Sequence, residues 1–226
     1  MKSVVLVPIG GAIAPECEKA LQVLEKRRYE VWRIYGYSAI DVGRSQMATD
    51  ALAQGFEELI WIDSDVVFDP DDIERLREHD VPFVCGVYPK KSRRELACSY
   101  LPGTDKLIFG QDGGLSELLY SGFGFNYTRR SVYEAIQRDL KLPECNKHLG
   151  STLTPFFMPM VVHDGNGPWY LGEDYAFCER ARQCGIKIHV DTRIRLWHVG
   201  AYKFGWEDAG SEFQRYATYN FNTGVK

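Results

Sequence analysis

A chain of 226 residues has the length of one medium domain, or of one domain with a small lobe, and can bury a real core. Its 45% hydrophobic and 26% charged residues exclude disordered and fibrous classes, and a net charge of −4 excludes a broadly basic surface while leaving room for a local basic groove. No apolar run near the start reaches the length of a signal peptide core or a membrane span, and the six cysteines form no CxxC pair, so a soluble protein in a reducing cytoplasm is expected.

Residues 4–8 are apolar and β-branched and read as a buried strand, followed by the turn at Gly10 and Gly11. Cys17, Ala20, Leu21 and Leu24 then fall at helical spacing. A strand over residues 29–34 leads to a helix over 41–54, with Met47, Ala51 and Leu52 on one face and Gly55 to end it. Residues 59–62 form a continuous buried strand. Asp69 with Pro70 has the pattern of a helix start, with Ile73 and Leu76 as the apolar face that follows, and residues 82–87 are the next strand. This alternation predicts a mostly parallel sheet covered by helices on both faces.

From about residue 96 the rhythm changes to short strands over 97–101, 106–109 and 115–120, an antiparallel extension. Ser131 and Glu134 have capping-box spacing ahead of a helix carrying Val132, Ile136 and Leu140. Residues 156–162 are strand-like, a helix over 173–184 stops at Gly185, and residues 186–190 form a further strand. The tail from Gly205 is aromatic and polar without periodicity and has the composition of a lid.

The strongest chemical pattern is Trp61-Ile62-Asp63-Ser64-Asp65, an Asp-x-Asp directly after a buried strand. In extended backbone, positions i and i+2 project to one side, so both carboxylates would address one ligand at the strand's C-terminal end, where open α/β sheets bind ligands. Carboxylate oxygens suit a hard divalent cation, which can bridge phosphates and stabilise a departing diphosphate. Asp-x-Asp alone is common in turns and caps. A second group lies downstream: Gly172-Glu173-Asp174 opens a helix, and Trp197-His198-Val199-Gly200 follows a strand. Glu173 or Asp174 would serve as a base toward a hydroxyl, and His198 as a third metal ligand, a donor type that favours manganese over magnesium. Acids in a first helical turn are also routine without catalysis.

With these motifs in place, the chain resembles the GT-A glycosyltransferases, the nucleotide-diphospho-sugar transferases, over nearly its whole length. The matching stretches are Val5-Leu6-Val7-Pro8, Gly43-Arg44-Ser45, the Asp63-x-Asp65 strand end, Gly86-Val87-Tyr88, Ser121-Gly122-Phe123-Gly124, Gly172-Glu173-Asp174 and His198-Val199-Gly200. The resemblance implies an α/β three-layer sandwich of Rossmann-like kind with a small antiparallel extension. It further implies ribose or metal contact for Asp63, metal ligation for Asp65 and His198, and acceptor or donor-sugar contact for Glu173 and Asp174. Pro8 and Arg44 inherit the cradle of the nucleotide base and ribose. Gly122 and Gly124 would let the backbone approach the sugar, although glycines in a turn need no ligand to explain them. Lys203 would reach the diphosphate if the tail folds over, an exposed lysine being the commoner case.

A single domain over 1–226 is therefore expected, with a donor half over 1–88, an acceptor half over 89–200 and a possible lid over 201–226. The expected activity is that of a metal-dependent glycosyltransferase, a hexosyltransferase, using a UDP-sugar, with manganese preferred and magnesium possible. The UDP preference comes from frequency in the family. Asp174 is the first choice of base and Glu173 the second. The acceptor is open: a glycan, a small molecule, a protein or a nucleic acid. The alternatives are a nucleotidyltransferase, disfavoured because residues 10–16 carry no Lys or Arg, and a non-catalytic nucleotide-sugar-binding protein. The Gly-x-Gly-x-x-Gly dinucleotide pattern is absent after the first strand.

Overall fold

Apolar runs in the first half of the chain form the strands β1 (Ser3–Ile9), β2 (Glu30–Tyr35), β3 (Glu58–Ile62), the two-residue β4 (Val66–Val67) and β5 (Phe83–Cys85). Between them lie α1 (Pro15–Lys26), α2 (Ile40–Ala53) and α3 (Asp72–Glu78). Pro15 opens α1, where a missing N–H costs nothing, and Gly55 adopts φ +78° just past α2. The second half supplies β6 (Cys98–Ser99), β7 (Lys106–Gly110), β8 (Leu115–Leu118), β9 (Tyr120–Ser121), β10 (Phe125–Arg129) and α4 (Arg130–Asp139). It continues with β11 (Met160–Asp164), β12 (Gly167–Leu171), α5 (Glu173–Gln183), β13 (Ile188–Asp191), β14 (Trp197–Val199), β15 (Lys203–Phe204) and β16 (Thr218–Asn222). The computed structural model describes residues 1–210 and 218–224.

Seven strands make the central sheet in the order β2-β1-β3-β10-β5-β13-β8. β1, β2, β3, β5 and β13 run parallel, while β10 and the edge strand β8 are antiparallel to their neighbours. Alternate side chains of each strand feed two cores. Val4, Leu6, Leu59, Trp61, Phe83 and Cys85 face α2, α4 and α5, whereas Val5, Val7, Ile60, Ile62 and Val84 face α1 and α3. The result is a three-layer α/β sandwich with small antiparallel pairs outside it. Because β10 lies between β3 and β5, the two halves of the chain share one sheet.

β10 is the element the sequence reading leaves out. Asn126 and Thr128 are buried polar residues in a strand flanked on both sides, so no apolar run marks it. Their donors are paired with backbone: the Asn126 amide N–H donates to the Gly122 carbonyl at 3.0 Å and the Thr128 hydroxyl to the Leu59 carbonyl at 3.0 Å. The expected capping box is absent, since α4 begins one residue earlier and Glu134 pairs with Arg130. The expected strand over residues 156–162 is displaced to β11. Phe156 and Phe157 belong instead to the buried aromatic layer, with Phe157 stacked on Phe177 at 4.6 Å. The helix start after β4 also differs in detail: Asp69 accepts the Asp71 N–H at 2.9 Å, and regular helix begins at Asp72.

Among the described residues of the tail, Trp206 is 2% exposed and packs on Phe109 at 5.1 Å, which fastens this end of the segment to the core. β16 pairs antiparallel with β7. The rest of the expected lid, residues 211–217 and 225–226, lies outside the described residues. No helix among the described residues is long and apolar enough to cross a membrane.

Candidate active site at the carboxyl end of the sheet

The backbone does not stay extended after β3. The Val66 N–H donates to the Asp63 carbonyl at 3.0 Å, closing a reverse turn, so Asp63 and Asp65 do not project together as extended geometry would require. Asp65 turns toward β14, which pairs with β4 so that His198 lies opposite Val66. The Val199 N–H holds the Asp65 carbonyl at 2.7 Å. His198 Nε2 consequently stands 3.5 Å from Asp65 Oδ1. The other ring nitrogen, Nδ1, is 2.9 Å from the Pro89 carbonyl, which can only accept, so Nδ1 carries a proton and the ring is oriented with Nε2 toward Asp65. Lys91 forms an ion pair with the second carboxylate oxygen of Asp65. Burial alone raises the pKa of Asp65, but contacts with His198 and Lys91 outweigh it and hold the carboxyl at about 2.

Asp63 turns the other way. Its Oδ1 accepts Arg44 Nη2 at 2.8 Å, and Arg44 Nε lies 3.8 Å from Glu173 Oε1. Arg44 is 3% exposed and packs between the rings of Trp61 and Phe123, with a further bond to the Phe123 carbonyl at 3.4 Å. Burial opposes the guanidinium charge, yet the two carboxylates prevail and its pKa is raised. A buried cation thus joins α2, the end of β3 and the start of α5. It sets Glu173 beside Asp174, whose Oδ1 accepts the Tyr175 N–H at 2.7 Å. Burial first, and then the neighbouring Glu173, push Asp174 up to about 6. A carboxyl so placed changes protonation close to neutral pH, which suits a general base.

A solved structure shares the overall architecture. A197 from STIV superposes with a TM-score of 0.56 at 18% identity, covering 88% of this chain and 86% of that one. The shared architecture is a GT-A-like, Rossmann-type three-layer α/β sandwich. UDP-glucose pyrophosphorylase complexed with UDP-glucose gives a TM-score of 0.44 at 10% identity, over 87% of this chain and 93% of that one. A glycosyltransferase involved in the glycosylation of the major capsid of PBCV-1 gives 0.34 at 14% identity, over 59% and 63%. At 18% identity the likeness to A197 is one of fold. No protein-family model and no curated protein matches the chain.

Within this GT-A fold the other expected site residues fall into two groups. Pro8 is buried in β1 near the strand end that faces the Asp63 turn, since the Ala14 N–H reaches the Ser64 carbonyl at 2.8 Å. Lys203 sits elsewhere. It pairs with Val199 across β14 and β15 and lies 4.5 Å over the Trp197 ring, the face opposite His198, so the cation that reaches Asp65 is Lys91. Arg44, expected on the nucleotide, is a buried organiser of carboxylates. Asp63, expected with Asp65 on one ion, is engaged by Arg44, and among the described residues no three His, Cys, Asp or Glu groups converge as a metal cluster. Asp65 and His198 remain as a matched pair of one carboxylate and one imidazole, with the imidazole oriented by Pro89. That donor set fits a divalent ion completed by ligand oxygens and water.

Lys91 and the Pro89 carbonyl were not singled out by the sequence reading, and Tyr88 entered it only as the end of the Gly86-Val87-Tyr88 stretch, without a role. The run of cations after the β5 strand was the available signal for Lys91. Tyr88 is buried, accepts the Gly124 N–H at 2.9 Å and meets the His198 ring edge-on at 4.9 Å. It also explains two glycines: a Cβ at Gly124 would stand 2.5 Å from the Tyr88 hydroxyl, and one at Gly122 would stand 2.9 Å from it. Gly124→Ala is therefore expected to destabilise the protein by about 1–3 kcal/mol through overpacking. Urea unfolding measures this, and an unchanged midpoint would dismiss the contact as the reason for glycine.

Proposed function

We propose that this chain transfers a sugar from a nucleotide-diphospho-sugar, with UDP as the nucleotide, to an acceptor hydroxyl. The observation that carries this reading is two unlike acid groups flanking the turn after β3: Asp65 with His198 and Lys91 on one side, and on the other Asp63 with Arg44 and Glu173, beside Asp174. Asp65 and His198 would hold a divalent ion, manganese by preference, which when bound offsets the charge of the departing diphosphate. Asp174 takes the proton of the acceptor hydroxyl as its oxygen bonds to the anomeric carbon and the bond from that carbon to the diphosphate breaks. Arg44 keeps Asp63 and Glu173 in place, and Tyr88 walls the site behind His198.

The test is a thermal-shift series with UDP, UDP-sugars and other sugar nucleotides, each with and without manganese. A ligand at a hundredfold excess over its Kd stabilises the native state by about 2.7 kcal/mol, a rise of several degrees in Tm. The expected result is a rise with UDP compounds that needs manganese. Stabilisation only by nucleoside triphosphates, with pyrophosphate released when a sugar phosphate is added, would replace this proposal with nucleotidyl transfer.

A further inference from the structure

Directly after Tyr88 and Pro89 the chain reads Lys90-Lys91-Ser92-Arg93-Arg94, four cations in five residues of a protein whose net charge is −4. The loop is built: Pro89 bridges Leu96, and the Lys90 N–H donates to the Glu95 carbonyl at 2.8 Å. Its cations line a cleft of about 390 Å³ whose other wall includes Tyr202 and Phe204. Lys90 is paired with Glu95 and Lys91 with Asp65. Arg93 and Arg94 are exposed and form no ion pair among the described residues, although Glu95 lies near enough to Arg93 to feel its charge and Asp208 also lines the cleft. Tyr202 is 53% exposed, its ring lies 4.0 Å from that of Phe204, and its hydroxyl is tied to Asp208 at 2.6 Å. Gly200 admits the Lys91 stem, because a Cβ there would stand 2.9 Å from Lys91 Cδ. The cleft is thus continuous with Asp65 through one side chain.

Two unpartnered guanidinium forks match the oxygens of a phosphate, which they can hold bidentately. A fixed aromatic face beside them supplies the apolar wall that a sugar ring needs. The cationic area is one small concavity on an acidic protein, which favours a compact anion over an extended polyanion or a lipid surface. We propose that this cleft is the acceptor end of the site and that the acceptor is a phosphorylated saccharide, its phosphate on Arg93 and Arg94 and its ring against Tyr202. The acceptor role rests on the glycosyl-transfer reading above; the phosphate-binding role does not.

The experiment uses the full chain at low ionic strength, with inorganic phosphate and glucose 6-phosphate as probes, glucose as the uncharged control, and amide NMR shifts as the readout. Arg93→Ala/Arg94→Ala and Tyr202→Ala are exposed-site variants, checked for an unchanged Tm. Both phosphate probes should shift the amides of residues 90–95, with glucose 6-phosphate the tighter, and the double variant should weaken both by about tenfold or more. Tyr202→Ala should weaken only glucose 6-phosphate. UDP with manganese should bind the double variant within about twofold of wild type. Absence of phosphate binding by wild type, or equal binding by the double variant, overturns the proposal. A parallel loss of UDP affinity in the double variant overturns it in favour of the donor diphosphate. Capture by anionic-lipid vesicles without glucose 6-phosphate binding overturns it in favour of a membrane surface. If wild type binds the phosphate probes but not UDP with manganese, the transfer reading fails while the cleft's ligand chemistry stands.

Discussion

Asp65→Ala is expected to remove manganese-supported binding of UDP, by more than about a hundredfold, while leaving the fold intact. Losing a residue that merely orients a metal ligand costs about ten- to a hundredfold in metal affinity, so losing one of the two proposed protein ligands would have a larger effect. The turn after β3 makes the contrast with Asp63 informative. Asp65 faces His198 at 3.5 Å and is partly open, whereas Asp63 balances the buried Arg44 at 2.8 Å. Asp63→Ala would leave that guanidinium with Glu173 at 3.8 Å as its remaining carboxylate, and breaking such a pair costs of the order of 3 kcal/mol. The two aspartates of one motif should therefore fail differently: Asp65→Ala in calorimetry of UDP with manganese, Asp63→Ala first in urea unfolding. His198→Ala should weaken metal-supported binding less than Asp65→Ala does. If Asp65→Ala binds UDP with manganese as wild type does, the metal assignment is gone; if Asp63→Ala alone loses it, the ion belongs with Asp63.

How much of this was legible in the sequence follows from the range of each interaction. The helix face Cys17, Ala20, Leu21 and Leu24 and the strand 59–62 depend on local periodicity, and all of these residues are buried as expected. β10 was invisible because its register rests on partners more than sixty residues earlier in β3, and because its buried polar residues Asn126 and Thr128, which donate to backbone carbonyls, interrupt any apolar run. The same holds at the site. Motif order grouped Asp65 with His198, which lie 3.5 Å apart, and Glu173 with Asp174, which open α5. The division of labour between Asp63 and Asp65 depended on a single turn hydrogen bond, which the extended-strand argument did not anticipate. Arg44 could be read as a solvated helix residue until α5 was placed beside it, and Lys91 needed the β4 and β14 pairing to become a neighbour of Asp65.

Asp174→Asn should lower the rate of the transfer step by about a hundredfold or more while UDP and manganese affinity stay near wild type, because the amide keeps the shape of the carboxyl but cannot accept a proton. The pH dependence gives an independent readout. Burial, and then the charge of Glu173, raise Asp174 to about 6, so the basic form required for proton removal is lost as pH falls through that value and the rate should fall with it. Glu173→Gln removes the second cause. The acidic limb of the rate profile should then move to lower pH, while the hold on Arg44, now lacking one carboxylate at 3.8 Å, loosens. Single-turnover transfer across pH 4.5–8 with wild type and both variants separates the roles, with donor hydrolysis as the reaction until an acceptor is in hand. An acidic limb that stays in place in Glu173→Gln would mean that the titrating group is not Asp174. A full rate in Asp174→Asn would assign the proton to the departing phosphate, as in a retaining transfer, and a dead Glu173→Gln beside it would exchange the two roles.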